Sequence, residues 1–345
     1  MYGEEVTVAI LAYYKEFLRE CIESVLAQTY ENIKVIVYDD CSPQNLQEIV
    51  DVFSDSRLHY VRNDRNLGGG ENFNKAMRLC DTKYINIFHG DDRMLPWMID
   101  ELVKVFENHP SVGIVATSGV AYIGNDNTPR FIWKKQGKLY KQNEWVKYFC
   151  KKASSAICPP SVMHRKAFFD KVPPRKTGSV SDTLYWLVAN NLGIEFYILN
   201  IPLLEYRLHD INVTNMMTLE RWLDVYKEVS GFLIRKGFEY GIDNYKKFFS
   251  HYILSVLGLK CSSMSDIFRL KKTIECEMKC LIPQKNFSNI AAICFLGQDI
   301  IKVSRGEETV SFFFKKMTRL SREGLNISWE RKMKWFVKYI LLKKG

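Results

Sequence analysis

The sequence contains no apolar run near the roughly eighteen residues that a membrane-crossing helix needs. No basic stretch followed by a short apolar core opens it, so neither a spanning helix nor a secretory leader is expected. Cys-x-x-Cys does not occur, and the nine cysteines are odd in number and scattered. That usage argues against a disulfide framework and a zinc site, and predicts reduced thiols in a cytoplasmic setting. Cys276 and Cys280 stand one helical turn apart and are expected to share a helix face. Also missing are a Gly-x-Ser-x-Gly elbow, a His-Glu-x-x-His helix and a Gly-x-x-x-x-Gly-Lys-Ser/Thr phosphate loop. These absences remove the motif-based case for a serine hydrolase, a zinc peptidase or a P-loop enzyme. Internal repeats and low-complexity tracts are absent too.

What is present is an alternation. At 345 residues the chain is long enough for one large catalytic domain and an accessory one. Val6 to Ala12 is a continuous apolar run of buried-strand length, and Phe17, Leu18, Cys21, Ile22, Val25 and Leu26 follow at helical spacing. Ile33 to Tyr38, Leu58 to Val61, Tyr84 to Phe88 and Val112 to Val120 are further apolar runs with helical patterns between them. Strands alternating with helices predict an α/β fold, Rossmann-like, with a mostly parallel sheet flanked by helices and ligand loops at the carboxyl ends of the strands.

Two acidic pairs fall on that edge. The second run ends in Asp39-Asp40-Cys41-Ser42-Pro43, and the fourth leads into His89-Gly90-Asp91-Asp92-Arg93-Met94-Leu95-Pro96. Mg²⁺ and Mn²⁺ favour oxygen ligands and complete their shells with water and substrate phosphates, so a strand-end carboxylate pair suits either ion. Adjacent acids in a loop also serve as solvated turn residues. Between the pairs, Asn66-Leu67-Gly68-Gly69-Gly70-Glu71-Asn72 offers a backbone that can approach a phosphate or sugar closely. A helix start is expected at Asn72, where free N–H groups would face an anion. Arg62 and Arg65 flank this loop, placed either to pair with a diphosphate or to act as ordinary surface cations.

Taken in order, these segments resemble the family 2 glycosyltransferases of GT-A fold. The elements are Val6 to Tyr14, Ser24 to Tyr30, Val37 to Ser42, Asn66-Leu67-Gly68, and Asp91-Asp92 with Pro96 four residues on. A sixth is Tyr206-Arg207-Leu208-His209 with Asn212-Val213-Thr214, similar to the Tyr-Arg-x-His element that closes this domain in many bacterial members. The resemblance covers roughly residues 5 to 214. It implies a catalytic domain over residues 1–214, with a nucleotide-sugar half of about 1–95 and an acceptor half of about 96–214.

The resemblance also implies roles. Asp40 matches the carboxylate that receives the nucleobase, with Asp39 beside it; accepting the imide N–H of uracil would favour a UDP-linked donor. Leu11, Tyr13, Arg62, Arg65, Gly68, Gly69 and Asn72 fall on the donor side, and Asp91 on the ribose or the metal. Asp92 matches the ligand of Mn²⁺ or Mg²⁺ beneath the pyrophosphate, and His209 the histidine that reaches the metal or the diphosphate. His89 departs from the pattern, standing where many members have a further Asp. For an inverting transfer the base is sought in a Glu-Asp pair at a helix start; the matching place reads Ser181-Asp182, which makes Asp182 the candidate.

Beyond residue 215 the pattern becomes helical. Thr218 to Lys236, Ile242 to Leu259, Asp266 to Cys280, Thr309 to Leu320 and Ser328 to Leu342 read as helices, a C-terminal subdomain over 215–345. The formal charge of +10 concentrates at the end. There Trp329, Met333, Phe336, Val337, Ile340 and Leu341 make one helical stripe, and Arg331, Lys334 and Lys338 another. Such a helix predicts either peripheral contact with an anionic membrane or docking on the core. No nucleic-acid recognition motif is found. The expected function is transfer of a sugar from a nucleotide-diphosphate donor to a glycan or lipid-linked acceptor in surface polysaccharide synthesis. A non-catalytic nucleotide-sugar-binding or scaffolding protein of the same fold, or a nucleotidyltransferase, stays open.

Overall fold

The computed structural model describes residues 3–123, 130–132, 137–153, 157–175, 182–209, 212–284, 286–288, 290, 291 and 294. The basic stripe of residues 329–344 and the helix expected over 309–320 lie outside them. The strands are β1 (Val6–Ala12), β2 (Ile33–Asp39), β3 (Leu58–Arg62), β4 (Tyr84–His89), β5 (Arg93–Met94), β6 (Val112–Ile123), β7 (Arg130–Ile132), β8 (Lys138–Tyr140), β9 (Met163–Arg165) and β10 (Glu195–Arg207). The α-helices are α1 (Leu18–Leu26), α2 (Gln47–Val50), α3 (Gly69–Leu79), α4 (Met98–Asn108), α5 (Glu144–Lys152), α6 (Lys166–Phe169), α7 (Asp182–Asn191), α8 (Val213–Met216), α9 (Leu219–Arg235), α10 (Ile242–Gly258) and α11 (Met264–Met278). Residues Met1–Asp210 and Ile211–Gly345 form two compact units.

In the first unit ten strands share one sheet, with the path β3-β2-β1-β4-β9-β6-β10-β5; β7 pairs with β6 and β8 with β10. The long pairings, β1 with β2 and β4, β2 with β3, and β6 with β10, are parallel, whereas β9, β5, β7 and β8 pair antiparallel. A strand covered on both faces reads as an unbroken apolar run, and β1 is buried along its length except at Leu11. Helices α1 and α4 cover the sheet with single apolar faces, Leu18, Cys21, Ile22 and Val25 on one, Met98, Ile99, Leu102, Val103, Val105 and Phe106 on the other.

Register then sets the functional edge. Leu11 of β1 lies between Tyr38 of β2 and His89 of β4, and Ala12 is opposite Asp39. Both acidic pairs therefore emerge at the same edge, one on each side of β1. Strand β10 has no continuous apolar run to announce it; its antiparallel pairing of Leu204 with Met94 and Glu205 with Arg93 brings the Tyr-Arg-x-His element against Asp91-Asp92. In the second unit, Thr218 caps α9 by accepting the Arg221 N–H, and Ser263 caps α11 by accepting the Asp266 N–H. No helix among the described residues is long and apolar enough to cross a membrane.

Candidate active site

The edge beyond β4 gathers His89, Asp91 and Asp92, whose ligand-competent atoms all lie within 4.8 Å of one another. Asp92 is 1% exposed. Its Oδ1 accepts the Arg207 N–H at 2.8 Å, while Oδ2 is buried with no hydrogen-bond partner and lies 3.9 Å from His89 Nδ1. Burial, and then the adjacent Asp91 charge, push the Asp92 carboxyl well above the usual range. For Asp91, burial acts in the same direction but is outweighed by the His209 hydrogen bond and the neighbouring imidazoles, which hold it below its ordinary value. His209 Nε2 is 3.0 Å from Asp91 Oδ2, and its ring packs 4.9 Å from that of Phe17.

Arg207 braces this edge from beneath. Its Nε donates to the Asp91 carbonyl at 3.0 Å, Nη2 pairs with Glu20 of α1 at 2.7 Å, and the guanidinium lies 4.3 Å over the Phe17 ring. An orphaned buried carboxylate oxygen beside a second carboxylate and an imidazole is a donor set that fits a divalent cation. His209, expected among the ligands, holds Asp91 through Nε2. His89, noted in the sequence only as a departure, is the residue that completes the cluster.

The edge beyond β2 is built differently. Asp39 is fully buried: Ser42 N–H donates to Oδ1 at 2.7 Å, and the Tyr60 hydroxyl and the Arg62 guanidinium donate to Oδ2. Burial and the bond to Asp39 raise the Tyr60 phenol to about 12, which keeps it a donor. Asp40 accepts from Asn63 Nδ2 and the Leu67 N–H at Oδ1 and from the Gly68 N–H at Oδ2, each at 2.8 Å. Asp40, expected to receive the nucleobase, is 5% exposed and binds the glycine loop.

That loop holds a correction. Helix α3 begins at Gly69, not Asn72, with Gly68 ahead of it at φ +79°, a backbone region that glycine enters without strain. Asn72 is a buried residue of the first turns; its N–H bonds to the Gly68 carbonyl, and its side chain joins Asn63 to the Tyr38 carbonyl. The first-turn amides left without intrahelical partners belong to the residues before it. Arg62 and Arg65 are both exposed, and Arg62 is tied to Asp39 and to the Ser42 carbonyl. Tyr13 is half-buried, edge-on to Tyr14. A Cβ at Gly69 would meet open space.

Asp182 is the first residue of α7, and Arg175 Nη1 lies 2.6 Å from its Oδ1. The Ser181 position beside it is outside the described residues. Cys21 and Cys158, the cysteines influenced by Asp92, have thiols pushed well up by burial first and its charge second, which disfavours a thiolate nucleophile.

Comparison with known proteins identifies the family. The model of "Glycosyl transferase family 2" matches residues 7–169. An uncharacterized glycosyltransferase of Methanocaldococcus jannaschii, MJ1057, is 30% identical over 206 residues, 58% of this chain and 69% of that one. A UDP-Glc:alpha-D-GlcNAc-diphosphoundecaprenol beta-1,3-glucosyltransferase of Escherichia coli, WfaP, is 30% identical over 105 residues, 30% of this chain and 42% of that one. Among solved structures, S. aureus TarS 1-349 in complex with UDP-GlcNAc superposes with a TM-score of 0.57 at 12% identity, covering 86% of this chain and 87% of that one. The mannosyltransferase PcManGT from Pyrobaculum calidifontis, in complex with GDP-Man and Mn²⁺, gives 0.53 at 14% identity, covering 85% and 87%. At those identities the two structures speak for the fold alone. Because the family model lies across the strands that carry both acidic pairs, and 69% of a 30%-identical glycosyltransferase is spanned, the chain belongs to glycosyltransferase family 2 and is a glycosyltransferase of GT-A fold.

Proposed function

We propose that this enzyme moves a sugar, with inversion, from a nucleotide-diphosphate donor, UDP-linked, to a hydroxyl of a lipid-linked glycan in surface polysaccharide synthesis. The observation that carries the reading is the unpartnered Asp92 Oδ2, buried beside Asp91 and His89 where a donor diphosphate would cross the sheet edge. Asp92, Asp91 and His89 would hold Mn²⁺ or Mg²⁺, with His209 and Arg207 fixing the loop behind them. When bound, the ion would offset the negative charge that builds on the departing diphosphate. First-turn amides of α3 and exposed Arg65 are placed to receive phosphate oxygens, and Asp40 acts on the donor indirectly by holding the Gly68 loop. Leu11 and Tyr13, at the exit of β1, floor the donor side.

Asp182 takes the proton of the acceptor hydroxyl as its oxygen bonds to the anomeric carbon and the carbon–oxygen bond to the diphosphate breaks. The electron pair of that bond leaves with the nucleoside diphosphate. Uridine as the base and a lipid-linked acceptor are supported by the WfaP name and by the UDP-GlcNAc bound in TarS. The basic, apolar-striped segment over 329–344 would keep the enzyme at the inner face of an anionic membrane, where such acceptors lie. The division near residue 214 into a catalytic domain and a helical accessory domain belongs to the same reading.

The test is a donor screen with purified protein and Mn²⁺, following release of nucleoside diphosphate. UDP release from one UDP-sugar, abolished by EDTA, is expected. Activity unchanged in EDTA removes the metal from the reading, and release from a GDP- or dTDP-sugar alone removes uridine.

A further inference from the structure

Asp182 is held by an arginine that is itself fixed at both side chain and main chain. Arg175 Nη1 reaches its Oδ1 at 2.6 Å, and the Arg175 side chain is only 10% exposed, with its guanidinium 5.1 Å over the Phe73 ring. The main chain of Arg175 is anchored separately. Asn74, 0% exposed, accepts the Arg175 N–H at 2.9 Å and donates Nδ2 to the Arg175 carbonyl at 2.7 Å. One amide that accepts from and donates to a single residue imitates a neighbouring strand, and Pro173-Pro174 restrict the backbone leading into it. The Arg175 fork therefore starts from a fixed Cα.

Both anchors, Phe73 and Asn74, belong to α3. Phe73 also packs edge-on to Tyr185 of α7 at 5.3 Å, and His164 of β9 closes the triangle at 5.8 and 6.0 Å. Burial keeps the His164 imidazole neutral, its pKa lowered to about 3, so this contact carries no competing charge. The N-terminus of α3, one turn ahead of Phe73, is led by the Gly68 loop, which Asp40 holds. One eleven-residue helix thus presents the loop on the donor side and steadies the carboxylate on the acceptor side.

We propose that Arg175 is a positioning residue for sugar transfer. Resting on α3 through Asn74 and Phe73, it fixes the Asp182 carboxylate at a set distance from the donor loop. The inference rests on Asp182 being the base. Its physical basis is that transfer is steeply sensitive to placement, a shift of about 1 Å costing on the order of 100-fold. A planar fork bound to one carboxylate oxygen restrains direction as well as distance, which a lysine would not do.

The experiment compares Arg175→Ala and Asp182→Asn in steady-state transfer and in donor binding. Arg175→Ala is expected to lower kcat by about 10- to 100-fold with the donor KM within about threefold. Guanidinium chloride at tens of millimolar should restore turnover several-fold, whereas sodium chloride should not. The double variant should be no slower than Asp182→Asn alone. Should Arg175→Ala not fold, Arg175→Met keeps the apolar stem against Phe73 and gives the same comparison. A folded variant with kcat within threefold of the parent, or a loss that guanidinium does not relieve, overturns the positioning role while leaving Asp182 as the base. Normal turnover in Asp182→Asn overturns the base and this inference with it.

Discussion

Asp39-Asp40 closes β2 and Asp91-Asp92 follows β4, so the same dipeptide stands twice on one sheet edge with β1 between. In the first pair each carboxylate receives three hydrogen-bond donors from the protein, and both are buried. In the second, Asp92 is as deeply buried but receives one main-chain N–H and keeps an oxygen with no hydrogen-bond partner. A buried carboxylate that is fully bonded belongs to the architecture. One left short costs stability, and a protein retains such a group where a ligand supplies what is missing. The contrast supports the proposal in which Asp39 braces the exit of β2, Asp40 holds the glycine loop and Asp92 holds an ion.

The sharpest way to break this comparison is to neutralise each pair in turn. Asp92→Asn should lower turnover at least about 100-fold, consistent with losing several kcal/mol of charge stabilisation. It should leave the melting temperature of the metal-free protein unchanged or higher. The sign follows from the raised carboxyl: a folded-state pKa above the unfolded value means that Asp92 costs stability as pH rises past the ordinary carboxylate range, and the amide removes that cost. A variant that melts early and stays active would invert the assignment.

Asp40→Ala should do the reverse, destabilising the fold by about 3 kcal/mol because three donors lose their acceptor. Thermal unfolding would show a drop of roughly 6–12 °C for a unit of this size. If Asp40→Ala melts with the parent but loses uridine nucleotide affinity, Asp40 contacts the base after all.

Metal affinity should depend on pH at the second pair. An ion must displace the proton that burial favours on Asp92, so titration calorimetry with Mn²⁺ should show proton release and affinity falling about tenfold per pH unit on acidification below the raised pKa. Affinity that does not fall on acidification would mean that Asp92 is not a ligand. The smallest effect concerns His89. Since imidazole suits later transition metals better than Mg²⁺, His89→Asp should shift preference toward Mg²⁺ over Mn²⁺ by a few-fold, read from competition binding.

The runs at Val6–Ala12, Ile33–Asp39, Leu58–Arg62 and Tyr84–His89 and the helical periods of α9, α10 and α11 were legible because each is a local pattern, carried by neighbours a few residues apart. So was the edge on which the acidic pairs stand, which follows from strand alternation alone. Strand β10 was not legible: thirteen residues broken by Pro202 take strand form because β6 and β5 lie alongside. Helix α3 starts at Gly69 rather than Asn72 because the Asn72 N–H already bonds the Gly68 carbonyl, so the glycines themselves make the first turn.

The sequence by itself determined which residues bear charge at the edge and in what order they arrive there. Tertiary structure decided what each does. Asp40 is satisfied by amides 27 and 28 residues away, Asp92 meets the main chain of Arg207 115 residues on, and Asn74 clasps Arg175 across 101. Whether a carboxylate is an anchor or a ligand depends on how many donors the folded chain brings to it, and those donors are neighbours only in space.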